Sequence, residues 1–351
     1  MTLFSTDFSV LLLDFKKIYT QFISSRLKFL LNKRCVVADY YQSPPIPSHF
    51  IWRKAHSLTG IWLVLFLMEH LFTNSQAALY FGENGSGFVS AVDWLKNLPY
   101  LQVIELTLLG IPFLVHGIWG VKYLLNTSYN SGLSDGSKPS LPQYKRNHAY
   151  TWQRITSWIL LVGIIAHVVQ MRFLAYPTST QYDGQNYYML PVSKDSGLDT
   201  LVHRLDFKLY DQIKIDEYKN ALNEQTLTAV TQDNVALQDQ RQKQSWLQAL
   251  EAKSLGANEI LIVTPSFGTA ELMMVRDTFK SPLMIILYTG LVLAACFHAF
   301  NGLWTAMISW GVTLTAASQR LMRKLAVGLM VIITFLGLTA IWATYWINLY
   351  E

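Results

Sequence analysis

Cysteine and charge are the two scarce commodities in this 351-residue chain. Its only cysteines are Cys35, in a basic stretch, and Cys296, inside a long apolar run. They are not expected to pair. With no CxxC or CxxCH motif, the sequence speaks against iron–sulfur ligation and covalent c-type haem attachment. Asp, Glu, Lys and Arg make up 15% of the residues and hydrophobic types 51%, which excludes an ordinary soluble domain. The net charge of +5 is collected loop by loop rather than on one face, so nucleic acid is not an expected partner. A cleavable signal is not expected either. Phe8–Leu13 is bracketed by Asp7 and Asp14, and no small-residue cleavage site follows.

What the chain has instead is apolar length. A transmembrane helix needs roughly 20 mostly apolar residues, and five segments qualify: I (57–80), II (101–125), III (152–175), IV (281–310) and V (322–347). Basic residues gather before I (Lys16, Lys17, Arg26, Lys28, Lys33, Arg34, Arg53, Lys54), between II and III (Lys122, Lys138, Lys145, Arg146, Arg154) and between IV and V (Arg320, Arg323, Lys324). The loop from I to II carries only Lys96 among acidic neighbours. Lys and Arg mark the cytoplasmic side, so the expected topology is amino terminus cytoplasmic and carboxyl terminus outside. Tryptophans and tyrosines near the segment ends (Trp52, Trp94, Tyr123, Trp152, Trp310, Trp342) suit an interfacial belt.

The expected fold class is an all-α membrane protein, a five-helix bundle with an extramembrane insert between III and IV. Residues 1–50 form an amino-terminal extension. Phe4, Phe8, Leu11, Phe15, Ile18 and Phe22 share one helical face there. That face fits a helix lying on the anionic inner leaflet or one packed on a partner subunit. Residues 51–176 hold segments I–III and 281–351 hold IV and V. The 177–280 stretch is polar and too long for a simple connection. It shows a helical pattern over 211–253, with Leu222, Leu227, Val230, Leu237, Trp246, Leu247 and Leu250 as a thin apolar stripe, and one strand at Glu259–Thr264. With III running outward, this insert belongs on the outer face; its His203 reads as a surface residue.

Four histidines sit inside the first four apolar segments: His70, His116, His167 and His298. An ionisable side chain within the membrane is costly and marks function by default. At 1.5 Å per residue, His70 lies about 20 Å and His167 about 22 Å from the inner entry of their helices. His116 lies about 22 Å and His298 about 25 Å from the outer entry of theirs. Depth therefore pairs His70 with His167 nearer the outer face, and His116 with His298 nearer the inner face. Two such pairs fit two bis-histidine b haems, a distal and a proximal one. Two axial imidazoles saturate iron, so such a centre passes electrons rather than activating substrate. The bland alternative is four histidines hydrogen-bonding between helices. A weak internal repeat accompanies them: Thr59 and Thr156 each lie eleven residues before their histidine, and Gly120 and Gly302 four residues after theirs.

Near the inner mouth of I and III, Arg53, His56, Ser57 and Arg154 are candidates to bind haem propionates by charge-assisted hydrogen bonds; interfacial snorkelling is the other reading of the arginines. Glu105 is a candidate proton acceptor at a quinone site, or a carboxylate facing water. His49 and His148 are expected to be solvated.

At these residues the chain resembles the di-haem cytochrome b membrane anchor (cytochrome b558 subunit) of bacterial succinate:menaquinone oxidoreductases. The likeness runs through Trp52–Gly60, Glu69–Leu71, Leu98-Pro99, Val115–Gly117, Gln153–Thr156, Ala166–Val168, Phe297–Trp304 (FHAFNGLW) and Trp310–Thr313, and keeps the order of all five segments. It implies a bacterial inner-membrane subunit holding two haem b on His70, His116, His167 and His298. Flavoprotein and iron–sulfur subunits would be its partners and menaquinone its electron acceptor. The same wiring could run as fumarate reduction. The competing readings are a haem-free structural anchor and the cytochrome subunit of another quinone-linked dehydrogenase. Three features depart from the family pattern: the long insert, the amino-terminal extension, and Cys296 at the position where some fumarate-reducing relatives carry a glutamate.

Overall fold

The computed structural model describes residues 46–78, 85–132, 135–137, 139–228 and 234–347. Residues 1–45 of the amino-terminal extension, including Cys35 and its expected apolar face, lie outside them, as do Lys138 and Val230, while residues 48–50 belong to the first helix. Five of its helices are long and apolar enough to cross a membrane: α1 (Ser48–Ser75), α3 (Leu101–Leu125), α4 (Lys145–Leu174), α9 (Pro282–Ser309) and α10 (Ala316–Ile347). A short helix α2 (Ser86–Lys96) sits between the first two. The helix α1 starts directly after Pro47, well before the expected residue 57. Proline is tolerated there because the first helical N–H groups have no intrahelical acceptor anyway.

The helices alternate in direction. Trp62 and His56 of α1 meet Leu108 and His116 of α3 in reversed order, and Gln153 and His167 of α4 meet His298 and Tyr288 of α9 likewise. Trp342 of α10 donates to Thr289 of α9. One end of the bundle, the loop side, therefore carries the 126–144 connection; the other, the insert side, carries residues 178–278. Many large apolar side chains on these helices are exposed, including Leu65, Ile118, Val162, Ile286 and Phe335, an inside-out surface that suits lipid. Between helices the contacts use small residues. A Cβ at Gly163 would meet Leu291 at 2.7 Å, and one at Gly337 would meet Val292 at 2.8 Å, as close helix approach requires.

Pro112 shapes α3. It cannot donate to the Leu108 carbonyl, and a π-helical turn over Leu106–Gly110 precedes it. The Leu108 carbonyl accepts from the Trp62 indole N–H instead. The group freed by proline thus becomes an interhelical bond.

The all-α expectation does not hold for the segment between α4 and α9. In chain order it forms β1 (Thr178–Tyr182), β2 (Gln185–Ser193), α5 (Leu198–Leu205), β3 (Lys208–Tyr210), α6 (Gln212–Thr228), α7 (Asn234–Leu250), β4 (Glu259–Thr264) and α8 (Phe267–Thr278). The strands make one antiparallel sheet in the order β1-β2-β4-β3. Asp183-Gly184, both at positive φ, join β1 to β2 as a two-residue hairpin turn. That dipeptide signal marks two strands the sequence reading passed over. The expected 211–253 helical stretch is the α6–α7 pair, and β4 has the expected bounds. Leu237 of the expected stripe is exposed, whereas Leu222, Trp246 and Leu250 are buried. Both faces of β4 are covered. Leu261 and Val263 pack with Met189, Ile215, Trp246 and Leu250; Ile262 packs on the other face with Leu190, Val192, Leu201 and Met273. This two-sided burial is why EILIVT reads as a continuous apolar run.

The helix α8 fastens this segment to the membrane helices. Ser266 caps it by accepting from Thr269 N at 3.0 Å. Asp93 of α2 accepts from Ser266 Oγ at 2.8 Å and Gly268 N at 2.7 Å, placing a carboxylate at the positive end of the helix. A Cβ on Gly268 would lie 2.4 Å from the Val89 carbonyl oxygen, so glycine permits the approach of α2. At the other end Arg276, 1% exposed, is held by Asp195 through bonds of 2.9 and 2.7 Å, and Lys280 reaches the same carboxylate at 2.6 Å. The Arg276 guanidinium also lies 4.9 Å from the Tyr345 ring of α10. Burial pushes the Asp195 carboxyl up, but the hydrogen bonds and charges of Arg276 and Lys280 outweigh it and hold the group at about 2. Its folded-state value is depressed, so its stabilisation is complete above about pH 4 and is lost as pH falls through about 2. Asp195→Asn should leave Arg276 buried without its counter-charge, at a cost of about 3–5 kcal/mol. Protease sensitivity of residues 178–278 in intact membranes should rise at neutral pH in that variant; unchanged cleavage would show the clamp to be dispensable.

Candidate functional site

The four apolar-segment histidines meet in the two pairs that depth predicts. The His70 and His167 ring centres are 6.0 Å apart with planes at 75°. Those of His116 and His298 are 6.2 Å apart at 83°. The levels are fixed by two other contacts. His56 of α1 stacks on His116 at 4.1 Å and 11°, and Gln153 of α4 bonds to His298. His70 follows His56 by fourteen residues, and His167 follows Gln153 by the same number, about 21 Å of helix in each case. One pair therefore lies toward the insert side and the other toward the loop side.

Three of the four rings have an oriented Nδ1. His116 Nδ1 donates to the His56 carbonyl at 3.0 Å, and His298 Nδ1 to the Gln153 carbonyl at 3.3 Å. A carbonyl only accepts, so Nδ1 carries the hydrogen and Nε2 is left with its lone pair. His167 Nδ1 is 3.2 Å from the Tyr288 hydroxyl. The His70 ring has no hydrogen-bond partner among the described residues and lies against Phe66 at 5.4 Å. An imidazole whose second nitrogen bonds to an oxygen is the arrangement expected of a metal ligand.

The donor count bears on what kind of metal group such a pair could hold. Among the described residues no set of three or more His, Cys, Asp or Glu side chains converges to hold an ion. Two imidazoles are too few for a bare ion but sufficient where a macrocycle supplies the equatorial nitrogens. Geometry agrees: with a metal–nitrogen bond of about 2 Å and a ring centre roughly 1.2 Å beyond it, two axial imidazoles place their centres about 6.4 Å apart. The residues present fit a bis-histidine haem at each level.

The other candidates are placed as follows. Arg53 is exposed, one turn before His56. Ser57 Oγ accepts from Trp310 Nε1 at 3.0 Å. Arg154 is buried; its Nη2 donates to the carbonyls of Leu124 and Thr127, both at 2.7 Å, and its Nη1 to the Tyr150 hydroxyl at 3.3 Å. It thus caps the carboxyl end of α3, and only its Nε has no partner among the described residues. Glu105 pairs with Arg172 at 2.8 Å, both about 41% exposed, a contact of small energetic weight. Gly120 and Gly302 face a neighbouring helix: added Cβ atoms would meet His56 at 3.6 Å and Gln153 at 3.5 Å. His203 is exposed, as expected.

Sequence reasoning missed Gln153, Asn301, Tyr288, Arg172 and Glu271 as site residues. The first had a signal, the fourteen-residue spacing to His167 that duplicates His56 to His70. Glu271 of α8 had none, because its environment is built by folding. Its Oε1 is buried without a partner among the described residues. Burial raises its carboxyl to about 7, against the opposing pull of Arg172 and Lys96. Arg172 follows His167 by five residues, so a group protonating near neutrality stands near the His70–His167 level.

No family model matches the chain, and no solved structure matches it. The chain is similar to the succinate dehydrogenase cytochrome b558 subunit of Bacillus subtilis (strain 168), with 22% identity over 295 residues that span 84% of this chain and 96% of that protein.

Because the folded-state value of Glu271 is raised, its protonation stabilises the fold most at low pH, and that contribution declines as pH rises from about 4.5 through 7. Hydrogen exchange in α8 should therefore quicken between pH 5 and pH 8 beyond the intrinsic chemical rate. Glu271→Gln should flatten this dependence; a variant with the wild-type profile would show that another group governs it.

Proposed function

We propose that this chain is the membrane anchor and electron-transfer subunit of a succinate dehydrogenase. It would carry electrons from an iron–sulfur subunit through two bis-histidine b haems to menaquinone. The observation that carries the reading is the meeting of four half-buried imidazoles in two pairs, each at the span of an axial ligand couple. The printed name of the Bacillus subtilis relative supports the choice of complex, and with it the flavoprotein and iron–sulfur partners.

Haem b, held by two nitrogens, supplies reversible one-electron transfer with no open coordination position. The work of the chain is then to hold and orient. His116 and His298 would ligate at the proximal level, each presenting Nε2 because its Nδ1–H is bonded to a backbone carbonyl. His70 and His167 would ligate at the distal level, with Tyr288 oriented against His167. Arg53 and Ser57, beside His56 on α1, are the residues that would take propionates by charge-assisted hydrogen bonds, whereas Arg154 is committed to the end of α3.

Direction follows from charge. Arg53, Lys54, Lys122, Lys145, Arg146, Arg320, Arg323 and Lys324 lie toward the loop side, so this side would face the cytoplasm of a bacterial inner membrane and receive the catalytic subunits. Menaquinone would react at the insert side, near Glu105 and Arg172.

The purified wild-type protein should show reduced b-type absorption with two haems per chain. Reduction by succinate in the intact complex would separate this reading from that of another quinone-linked dehydrogenase. His70→Ala or His167→Ala should lower the content to about one haem per chain while leaving the proximal signal. A preparation lacking haem bands would instead establish a haem-free anchor, and loss of the proximal signal from either variant alone would overturn the pairing.

A further inference from the structure

We infer that the side chains of His56 and Gln153 are equivalent positioning residues, one in each half of an internal twofold repeat, that lock the His116 and His298 imidazoles for metal ligation. The inference rests on the haem reading above and adds residues to it.

The repeat shows in the bonds. His56 Nδ1 donates to the His116 carbonyl at 3.1 Å, while His116 Nδ1 donates to the His56 carbonyl at 3.0 Å. Gln153 Nε2 donates to the His298 carbonyl at 3.0 Å, while His298 Nδ1 donates to the Gln153 carbonyl at 3.3 Å. Each is a closed exchange in which two residues on facing helices give one side-chain hydrogen and accept one in return. The neighbouring residues repeat as well. Thr59 bonds to the carbonyls of Ala55 and His56 at 2.9 and 3.0 Å, and Thr156 to those of Trp152 and Gln153 at 2.8 and 3.1 Å. Gly120 and Gly302 make the same approach to the two locking side chains. The pair α1–α3 thus matches α4–α9 element by element.

The lock has a chemical consequence. Each ligand ring has its N–H aimed at a carbonyl whose position depends on the register of two helices. The side chain of His56 or Gln153 holds that register by bonding to the backbone of the ligand residue itself. A backbone acceptor on Nδ1 raises the basicity of Nε2 and fixes the ring plane. The halves differ at two points: Ser157 Oγ lies 3.4 Å from His298 Nδ1 where the other half has Gly60, and the locking side chains are braced differently. His56 stacks on the His116 ring. The Gln153 Oε1 accepts from Asn301 Nδ2 at 2.7 Å, and Asn301 Oδ1 accepts from Trp304 Nε1 at 3.0 Å. At the other level neither His70 nor His167 shows such an exchange among the described residues, so the device belongs to one centre.

The test uses the assembled complex, with midpoint potentials and low-temperature electron paramagnetic resonance of the two low-spin centres as readouts. His56→Leu and Gln153→Leu should shift the resonance of the His116/His298 centre. They should also favour its reduced form by about tenfold, 59 mV for one electron, and leave the other centre unchanged. The exchange variants His56→Gln and Gln153→His should restore resonance and potential, since each installs the side chain its counterpart uses. Should the leucine variants fail to accumulate, the exchange pair decides: a wild-type resonance supports equivalence, and a shifted or missing one overturns it. Leucine variants with unaltered resonance and potential would overturn the lock alone. A wild-type complex without haem would remove the functional reading as well.

Discussion

A ring N–H buried between helices needs an acceptor, and here the facing backbone provides it. Helical carbonyls already accept one intrahelical bond, yet each keeps a second lone pair. The His56 and Gln153 carbonyls share theirs between the ligand-position imidazoles and nearby hydroxyls, those of Thr59 on the first and of Thr156 and Ser157 on the second. For the bonds to close, helices must come within reach of one another's backbone. Gly60 shows how tight that is, since a Cβ there would stand 2.8 Å from His116. The pairing of the histidines, their levels and the tautomers of His116 and His298 follow from this close register. Hydrocarbon makes the constraint strict, because an unsatisfied polar group there has no water to turn to.

The segment between α4 and α9 is tied into the same architecture. Asp93 joins α2 to the first turn of α8, and the Arg276–Asp195–Lys280 cluster braces its last turn under Tyr345. Phe279, just beyond α8, stands edge-on to Tyr288, which in turn meets His167. A continuous line of side chains thus runs from the soluble-type sheet and helices to the insert-side histidine pair. Glu271 and the Glu105–Arg172 pair lie at the same end. The insert therefore shapes the surroundings of one pair and leaves the other to the helices.

How much could be read in advance differs by element. The five apolar helices were legible because a bilayer demands length and hydrophobicity, which are local properties. The two histidine couples were legible from depth, since rise per residue converts position into height. The Asp183-Gly184 hairpin is also a local signal, since two residues at positive φ joining β1 to β2 need only the turn dipeptide. The partners of Arg154 were a different matter. Its guanidinium could equally face a ligand or a helix end, and only the approach of Leu124 and Thr127 directs it to the latter. Glu271 looked like any surface glutamate until α8 was laid against the helix ends.

Sequence alone thus determined which segments are apolar, how far along each a histidine lies, and that threonines and glycines recur at matching offsets. These depend on spacing along one chain. The tertiary structure decided which nitrogen of His116 and of His298 remains free, that His56 and Gln153 occupy corresponding places, and that Arg154 is used as a cap. Those outcomes depend on which backbone groups two helices bring within hydrogen-bond distance, a property of register between elements that no single segment encodes.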